Sequence, residues 1–284
     1  MKTSQDYIIN YIFGVKTISR VKTLSIDTME VRWYHDNIVL TFMVFFYFLE
    51  VIMEINKYID HTNLKAYATS DDIKKLCKEA RDNHFETVCV NPYYVSLAKE
   101  ELKGSNVGVC TVIGFPLGMN NSMVKEYEAI VAVQDGADEI DMVINIGALK
   151  DHDYDYVKNE IETVRDAIDG KVLKVIIETC YLTDDEIIKM TEICNETFVN
   201  FIKTSTGFGT DGAKLEDVEL INKHKGEVLE IKASGGIKTF EDAVKFINAG
   251  ASRIGTSNGV EIMKNDKECD CDECHSGHCH CEED

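Results

Sequence analysis

The sequence predicts an α/β fold, a (β/α)8 barrel of the TIM type over residues 53–263, and three observations carry that reading. Eight short apolar strand patterns alternate with amphipathic helical patterns from Lys57 onward. Their starts are 20 to 34 residues apart, the spacing of parallel strands joined by right-handed helical crossovers. The 211 residues involved fall within the size range of that architecture. An open doubly wound sheet is the competing arrangement, and it is weakened because no Gly-x-Gly-x-x-Gly turn follows the first strand.

The expected strands are 57–60, 87–90, 107–113, 139–144, 173–178, 199–203, 228–232 and 252–255. Each is a short apolar run, as strands covered on both faces should be. Helical spacing of apolar residues marks 70–80, 93–102, 122–134, 154–168, 184–194, 215–222 and 240–248. Ser70 reads as an N-cap followed by Asp71 and Asp72, 184–188 has the same acid-first pattern, and Thr239 precedes Glu241 and Asp242.

The chain has 284 residues, 44% hydrophobic, with a formal net charge of −20. That composition is globular. The charge argues against binding nucleic acid or an anionic membrane through a general basic surface. An anionic substrate must then be held by a local set of donors. Five of the ten cysteines (77, 89, 110, 180 and 194) are scattered through apolar segments and read as buried reduced thiols of a cytosolic protein.

Residues 1–52 differ in character from the barrel segment. The run 38–49 (IVLTFMVFFYFL) is strongly apolar, but Glu50 ends it after twelve residues. A spanning helix needs roughly 18, and a signal peptide would place its apolar region nearer the start. Neither secretion nor a membrane span is expected. Leu49-Glu-Val-Ile-Met53 is also what a purine-rich ribosome-binding sequence ahead of a start codon encodes when read through. The expectation is that 1–52 is an over-long gene reading and that the working protein starts at Met53. The competing reading is an amphipathic, membrane-touching extension.

The barrel reading puts reactive groups at the carboxyl ends of several strands. The expected ends carry Asp60, Asn91, Asp141, Glu178, Lys203 and Lys232, and Lys174 shares a strand face with Glu178. In Phe198-Val-Asn-Phe-Ile-Lys-Thr-Ser-Thr-Gly207 an apolar strand closes on Lys203, out of place unless it has work to do. Lys203 and Lys232 on neighbouring strands would repel each other, which favours a neutral amine on one of them. A neutral lysine condenses with an aldehyde or ketone to an iminium, an electron sink for carbon–carbon cleavage. Asp141 would then move protons, through a water or through Lys232. The bland alternatives are a lysine snorkelling to the rim and a Lys–Asp cluster that braces the interior. The last two strand ends, Lys232-Ala-Ser-Gly-Gly-Ile237 and Arg253-Ile-Gly-Thr-Ser-Asn-Gly259, are rich in Gly, Ser and Thr. Gly207, Gly235, Gly236, Thr256 and Ser257 suit phosphate binding by main-chain N–H groups, against the simpler reading of two tight turns.

Eight segments in unbroken order then resemble the deoxyribose-phosphate aldolase family of Schiff-base (class I) aldolases. They are Tyr58-Ile-Asp-His-Thr62, Val88-Cys-Val-Asn-Pro92, Thr111-Val-Ile-Gly-Phe-Pro116, Asp138-Glu-Ile-Asp-Met-Val143, Leu173-Lys-Val-Ile-Ile-Glu-Thr179, Phe201-Ile-Lys-Thr-Ser-Thr-Gly207, Ile231-Lys-Ala-Ser-Gly-Gly236 and Arg253-Ile-Gly-Thr-Ser257. The resemblance implies reversible cleavage of 2-deoxy-D-ribose 5-phosphate to D-glyceraldehyde 3-phosphate and acetaldehyde, with no cofactor or metal. By position it implies Lys203 as the Schiff-base lysine, Lys232 as its activating partner and Asp141 as the proton-transfer group. Asp60, Lys174, Gly207, Gly235, Gly236, Thr256 and Ser257 would contact the substrate or its phosphate. It further implies a cytoplasmic homodimer or homotetramer serving deoxynucleoside catabolism. Asn63, Ala66 and Asn258 depart from the family pattern without removing a catalytic group.

The tail 264–284 stands apart. Cys269, Cys271, Cys274, His275, His278, Cys279, His280 and Cys281 lie within thirteen residues, a soft-ligand set suited to Zn²⁺ or Cu⁺. The segment has no apolar residues with which to fold and fits no zinc-finger spacing. It reads as a disordered acidic appendage. Two other functions stay open on the residues alone: a different phosphate-binding barrel enzyme, such as an isomerase or a transaldolase-like enzyme, and a metal-sequestering protein centred on the tail.

Overall fold

The computed structural model describes residues 55–264. The expected extension, the start at Met53 and the Cys/His-rich tail lie outside the described residues. Eight parallel strands close into a barrel in chain order: β1 (Ile59–Asn63), β2 (Thr87–Val90), β3 (Gly108–Ile113), β4 (Glu139–Val143), β5 (Val172–Ile176), β6 (Phe201–Lys203), β7 (Glu230–Ser234) and β8 (Arg253–Thr256). β8 pairs with β1, with Asp60 opposite Gly255. The barrel expectation is met and the open sheet is excluded.

Helices cover the outside: α1 (Ser70–Asp82), α2 (Val95–Glu101), α3 (Ser122–Gln134), α4 (Ile146–Lys150), α5 (Tyr154–Ala167), α6 (Asp184–Glu196), α7 (Leu215–His224), α8 (Phe240–Asn248) and α9 (Gly259–Lys264). The cap of α1 is Thr69, not Ser70. The Thr69 side chain accepts from the Asp72 N–H and the Asp72 carboxylate accepts from the Thr69 N–H. Thr183 and Glu186 form the same reciprocal cap on α6, and Thr239 caps α8 as expected. Such caps satisfy the otherwise orphaned first-turn donors. The short α4 and α9 have too few residues to show a helical period, and the sequence reading missed both. Among the described residues, no helix is long and apolar enough to cross a membrane.

The strand alternation divides the molecule into two environments. Val88, Val109, Ile140, Met142, Val175, Ile202, Ile231 and Ile254 join helical residues such as Ile73, Ile161, Met190 and Ile221 in one buried cluster. Each such side chain contributes about 1.5–3 kcal/mol on burial. A separate, small apolar group gathers Leu64, Cys89, Cys110 and Val112 against Phe115. The alternate residues are charged. Barrels of this kind are usually filled by branched aliphatic side chains, so the interior is a departure that needs a reason.

Several strands are offset from expectation, and the offsets matter. β1 begins two residues later than predicted, after a 3-10 turn at Ile55–Tyr58. It runs on through polar residues because their side chains find partners: Asp60 accepts from Thr87 and Arg253, and His61 Nε2 bonds to Glu79. β7 is shifted by two residues in the same direction. β5 stops at Ile176, because Glu178 adopts a left-handed backbone (φ 55, ψ 67). Asp60, Asp141, Lys174 and Lys232 are therefore mid-strand residues, and of the expected strand ends only Lys203 closes its strand.

Behind β4 a second charged pair is fully buried between helices. Lys125 of α3 lies 2.7 Å from Glu160 of α5 and donates to the Val143 carbonyl at 2.8 Å. Glu160 also accepts from the Asn145 N–H, so the pair clasps the end of the strand that carries Asp141. Burial lowers the Lys125 ammonium below the usual lysine range and raises the Glu160 carboxyl. Removing one partner leaves a buried charge uncompensated, so Lys125→Met should cost about 3–5 kcal/mol in thermal or urea unfolding. Lys125→Met combined with Glu160→Gln should recover much of that loss.

Candidate active site

Asp141, at the middle of β4, is completely buried and holds three lysines. Its Oδ1 accepts from Lys174 Nζ at 2.9 Å, and its Oδ2 accepts from Lys203 Nζ at 2.8 Å and Lys232 Nζ at 2.7 Å. Strand register makes this possible. Asp141 lies opposite Lys174 across β4 and β5, and Lys203 lies opposite Lys232 across β6 and β7. The Cys110 thiol donates to Oδ1 at 3.1 Å.

The network continues downward. Lys232 reaches Asp60 at 2.5 Å, and Lys174 pairs with Glu139. Arg253 bridges Asp60 at 2.7 Å and Glu139 at 3.1 Å. The Phe201 ring lies beneath Lys174 and Arg253, 5.9 and 5.2 Å from its centroid, within cation–π range. The ion-paired set holds four cations (Lys174, Lys203, Lys232, Arg253) against three carboxylates (Asp60, Glu139, Asp141).

Burial alone would raise the Asp141 carboxyl, but Lys174, Lys203 and Lys232 outweigh it and hold the group well below the usual carboxylate range. Asp60 is likewise held down, against burial, by Lys232, Arg253 and Lys174. Burial disfavours the Lys232 ammonium, and the carboxylates of Asp141 and Asp60 reverse this, raising it above the usual lysine range. Lys174 is raised in the same way, chiefly by Asp141. The contacts of Lys174 and Lys232 with Asp60 and Asp141 thus stay charged on both sides at neutral pH.

Above the network opens a cavity of about 490 Å³. Lys203 lines it, together with Thr206, Gly207, Phe208, Gly235, Gly236, Lys238, Thr256 and Ser257. The Lys203 side chain is 4% exposed, whereas those of Lys174 and Lys232 are wholly enclosed. The expected catalytic trio is therefore brought together, with only its Schiff-base candidate in reach of a ligand. The expected phosphate residues also meet at one side of the cavity. Asp60 and Lys174 do not: expected to face the substrate, they lie below the floor, because ion pairing inside the barrel satisfies them there. Asn91 precedes the 3-10 turn Pro92–Tyr94 and lines nothing in the cavity.

Among the described residues, the N–H groups of Gly207, Gly235, Gly236 and Ser257 donate to no protein acceptor. Gly207, Gly235 and Gly236 have φ of 84, 88 and 83, a region glycine enters freely. At Gly235 a Cβ would also come within 2.9 Å of Gly212 Cα. Sequence reasoning missed Lys238, Phe208, Cys110 and Glu139. Glu139 had a signal, since it lies two residues before Asp141 on the same strand face. The thiol sulfurs and a carboxylate oxygen of Cys89, Cys110 and Asp141 lie within 4.8 Å of one another, as do the corresponding atoms of Asp60, Cys110 and Glu139. Their carboxylates are already bound to lysine or arginine, so a divalent cation would have to displace those charges, and the groups do not fit a metal.

The shifts set a stability profile. The depressed carboxyls Asp60 and Asp141 contribute fully above their ordinary value of 3.8, and that contribution is lost as pH falls below it. The raised Lys232 contributes fully below 10.5 and loses its contribution as pH climbs beyond. Thermal melts should therefore show a plateau between about pH 5 and 9 with a fall on both flanks. A profile flat down to about pH 3 contradicts the network.

Comparison with known proteins agrees with this geometry. Residues 55–265 match the model of the DeoC/LacD family aldolases. A Thermotoga maritima protein named deoxyribose-phosphate aldolase is 57% identical over 217 residues, 76% of this chain and 88% of its own length. One of the same name from Thermococcus gammatolerans is 59% identical over 216 residues, 75% of this chain and 96% of its own. Among solved structures, the tetrameric deoxyribose phosphate aldolase of Aeropyrum pernix superposes with a TM-score of 0.71 at 30% identity, covering 76% of this chain and 92% of that one. An aldolase designated QR15 gives 0.72 at 44% identity, over 75% and 95%. The fold, the lysine-lined cavity and these similarities agree: the chain belongs to the DeoC/LacD family of aldolases.

Proposed function

We propose that the protein reversibly cleaves 2-deoxy-D-ribose 5-phosphate to D-glyceraldehyde 3-phosphate and acetaldehyde through a Schiff base on Lys203. The observation that carries this reading is the shared Asp141 oxygen, which holds the cavity-facing Lys203 amine and the enclosed Lys232 ammonium together. An ammonium that stays charged disfavours a second charge beside it, and the network already holds one cation more than it has carboxylates.

The Lys203 amine adds to the aldehyde carbon C1, giving a carbinolamine. Asp141 and Lys232 exchange the protons that let water leave, and an iminium remains. A water in the cavity takes the C3 hydroxyl proton, the C2–C3 bond breaks and its electron pair enters the iminium to give an enamine. D-glyceraldehyde 3-phosphate departs. Protonation of the enamine at C2, then addition of water, releases acetaldehyde and restores the amine. Asp141 and Lys232 lie beneath the cavity and act through Lys203 and water.

The free N–H groups of Gly207, Gly235, Gly236 and Ser257, with Thr256 and the Lys238 ammonium at the rim, support a phosphate seat. Asp60 and Lys174 set the charge of the trio from below. The enzyme would serve deoxynucleoside catabolism in the cytoplasm as a homodimer or homotetramer. Exposed Leu117, Met119, Met123, Val124 and Tyr127 on one stretch of chain support self-association.

Borohydride reduction in the presence of acetaldehyde, followed by peptide mass mapping, should give an adduct on Lys203 and none in Lys203→Ala. An adduct on another lysine overturns the assignment. Lys232→Leu and Asp141→Asn should each lower kcat by about 10²–10⁴.

A further inference from the structure

Glu178 has no place in the chemistry above, yet it is held at a cost. It follows β5 in a left-handed backbone conformation (φ 55, ψ 67), which non-glycine residues rarely adopt. Its side chain is buried, and among the described residues it makes no ion pair. A buried carboxylate satisfied only by neutral donors is unusual. Both oxygens go to one residue. Oε1 accepts from the Thr206 N–H at 3.1 Å, and Oε2 accepts from the Thr206 hydroxyl. That hydroxyl in turn accepts from the Phe208 N–H at 3.0 Å. The turn on either side of Gly207 is thereby tied to the end of β5, and the Gly207 N–H between the two anchored residues donates to no protein acceptor. Gly209 closes the arrangement, because a Cβ there would lie 3.1 Å from the Glu178 carboxylate and 2.8 Å from Cys180 Sγ.

We propose that Glu178 is a positioning residue that latches loop 204–209, so that the loop after the Lys203 strand presents the Gly207 N–H to the substrate's phosphate. The strained backbone of Glu178 turns its carboxylate across the gap between β5 and β6. Thr206 converts that one fixed acceptor into a rigid turn. The latch acts on binding of the phosphorylated end and leaves the Lys203–Asp141–Lys232 contacts untouched.

This rests on the aldolase reading, and the experiment separates the two. KM and kcat are measured for 2-deoxyribose 5-phosphate and for unphosphorylated 2-deoxyribose, alongside borohydride trapping of Lys203 with acetaldehyde. Thr206→Val should raise KM for the phosphorylated sugar about tenfold, the loss of one charge-assisted hydrogen bond. The loss in kcat/KM should be about tenfold greater for the phosphorylated sugar than for the unphosphorylated one, and acetaldehyde should still be trapped on Lys203. Thr206→Ser, which keeps the hydroxyl, should restore the phosphorylated KM, and Glu178→Gln should fall between the two. Gly209→Ala should shift KM in the same direction as Thr206→Val. An equal loss on both sugars, or an unchanged KM in Thr206→Val, overturns the latch even if Glu178 variants fail to fold. A wild type that traps no acetaldehyde on Lys203 and cleaves neither sugar overturns the aldolase reading instead.

Discussion

One carboxylate shared by three lysine side chains is the constraint on which the rest of the barrel depends. Asp141 has no water-facing surface, so its charge is stabilised by Lys174, Lys203 and Lys232, with the Cys110 thiol as a further donor. Each lysine would be costly to bury alone. The second tier of Asp60, Glu139 and Arg253 follows from this, because Lys174 and Lys232 each need a further acceptor. A core of branched aliphatics would be cheaper to build, but it would leave no way to hold an amine at the cavity floor with a proton acceptor and a fixed cation beside it.

The site divides between two kinds of donor. Below, charged side chains in a dry interior gather around the one cavity-facing lysine, Lys203. Above, main-chain N–H groups on glycine turns face the open cavity, with Lys238 at their edge. Main-chain donors suit a protein whose formal net charge is −20, since their fields are short-ranged and a few aligned N–H groups attract an anion irrespective of the distant surface.

The barrel and its trio were legible because period-two and 3.6-residue patterns report what is buried, and Lys203 interrupts such a pattern conspicuously. The depth of the charged residues was not legible. Asp60 reads as the end of a strand, since polar Asp60-His-Thr-Asn63 looks like a loop. Partners distant in sequence, Arg253 193 residues from Asp60 among them, make those residues suitable for a ladder. Lys174 was expected beside the substrate for a related reason: a sequence gives the face of a strand but not the height at which neighbouring strands align. Glu178 was visible only as a strand end, because a left-handed backbone at glutamate has no signature in residue type.

The pairing of Arg253 on β8 with Asp60 on β1 has a further meaning for how the protein is made. Six of the seven charged groups are already in the chain when the last strand emerges, yet Asp60 still lacks its guanidinium partner and the two ends of the sheet are unjoined. Closing so long a loop comes late, since contacts distant in sequence form slowly. During synthesis Lys203 is thus one lysine among many, and the charged network beneath it is completed only when the final strand docks.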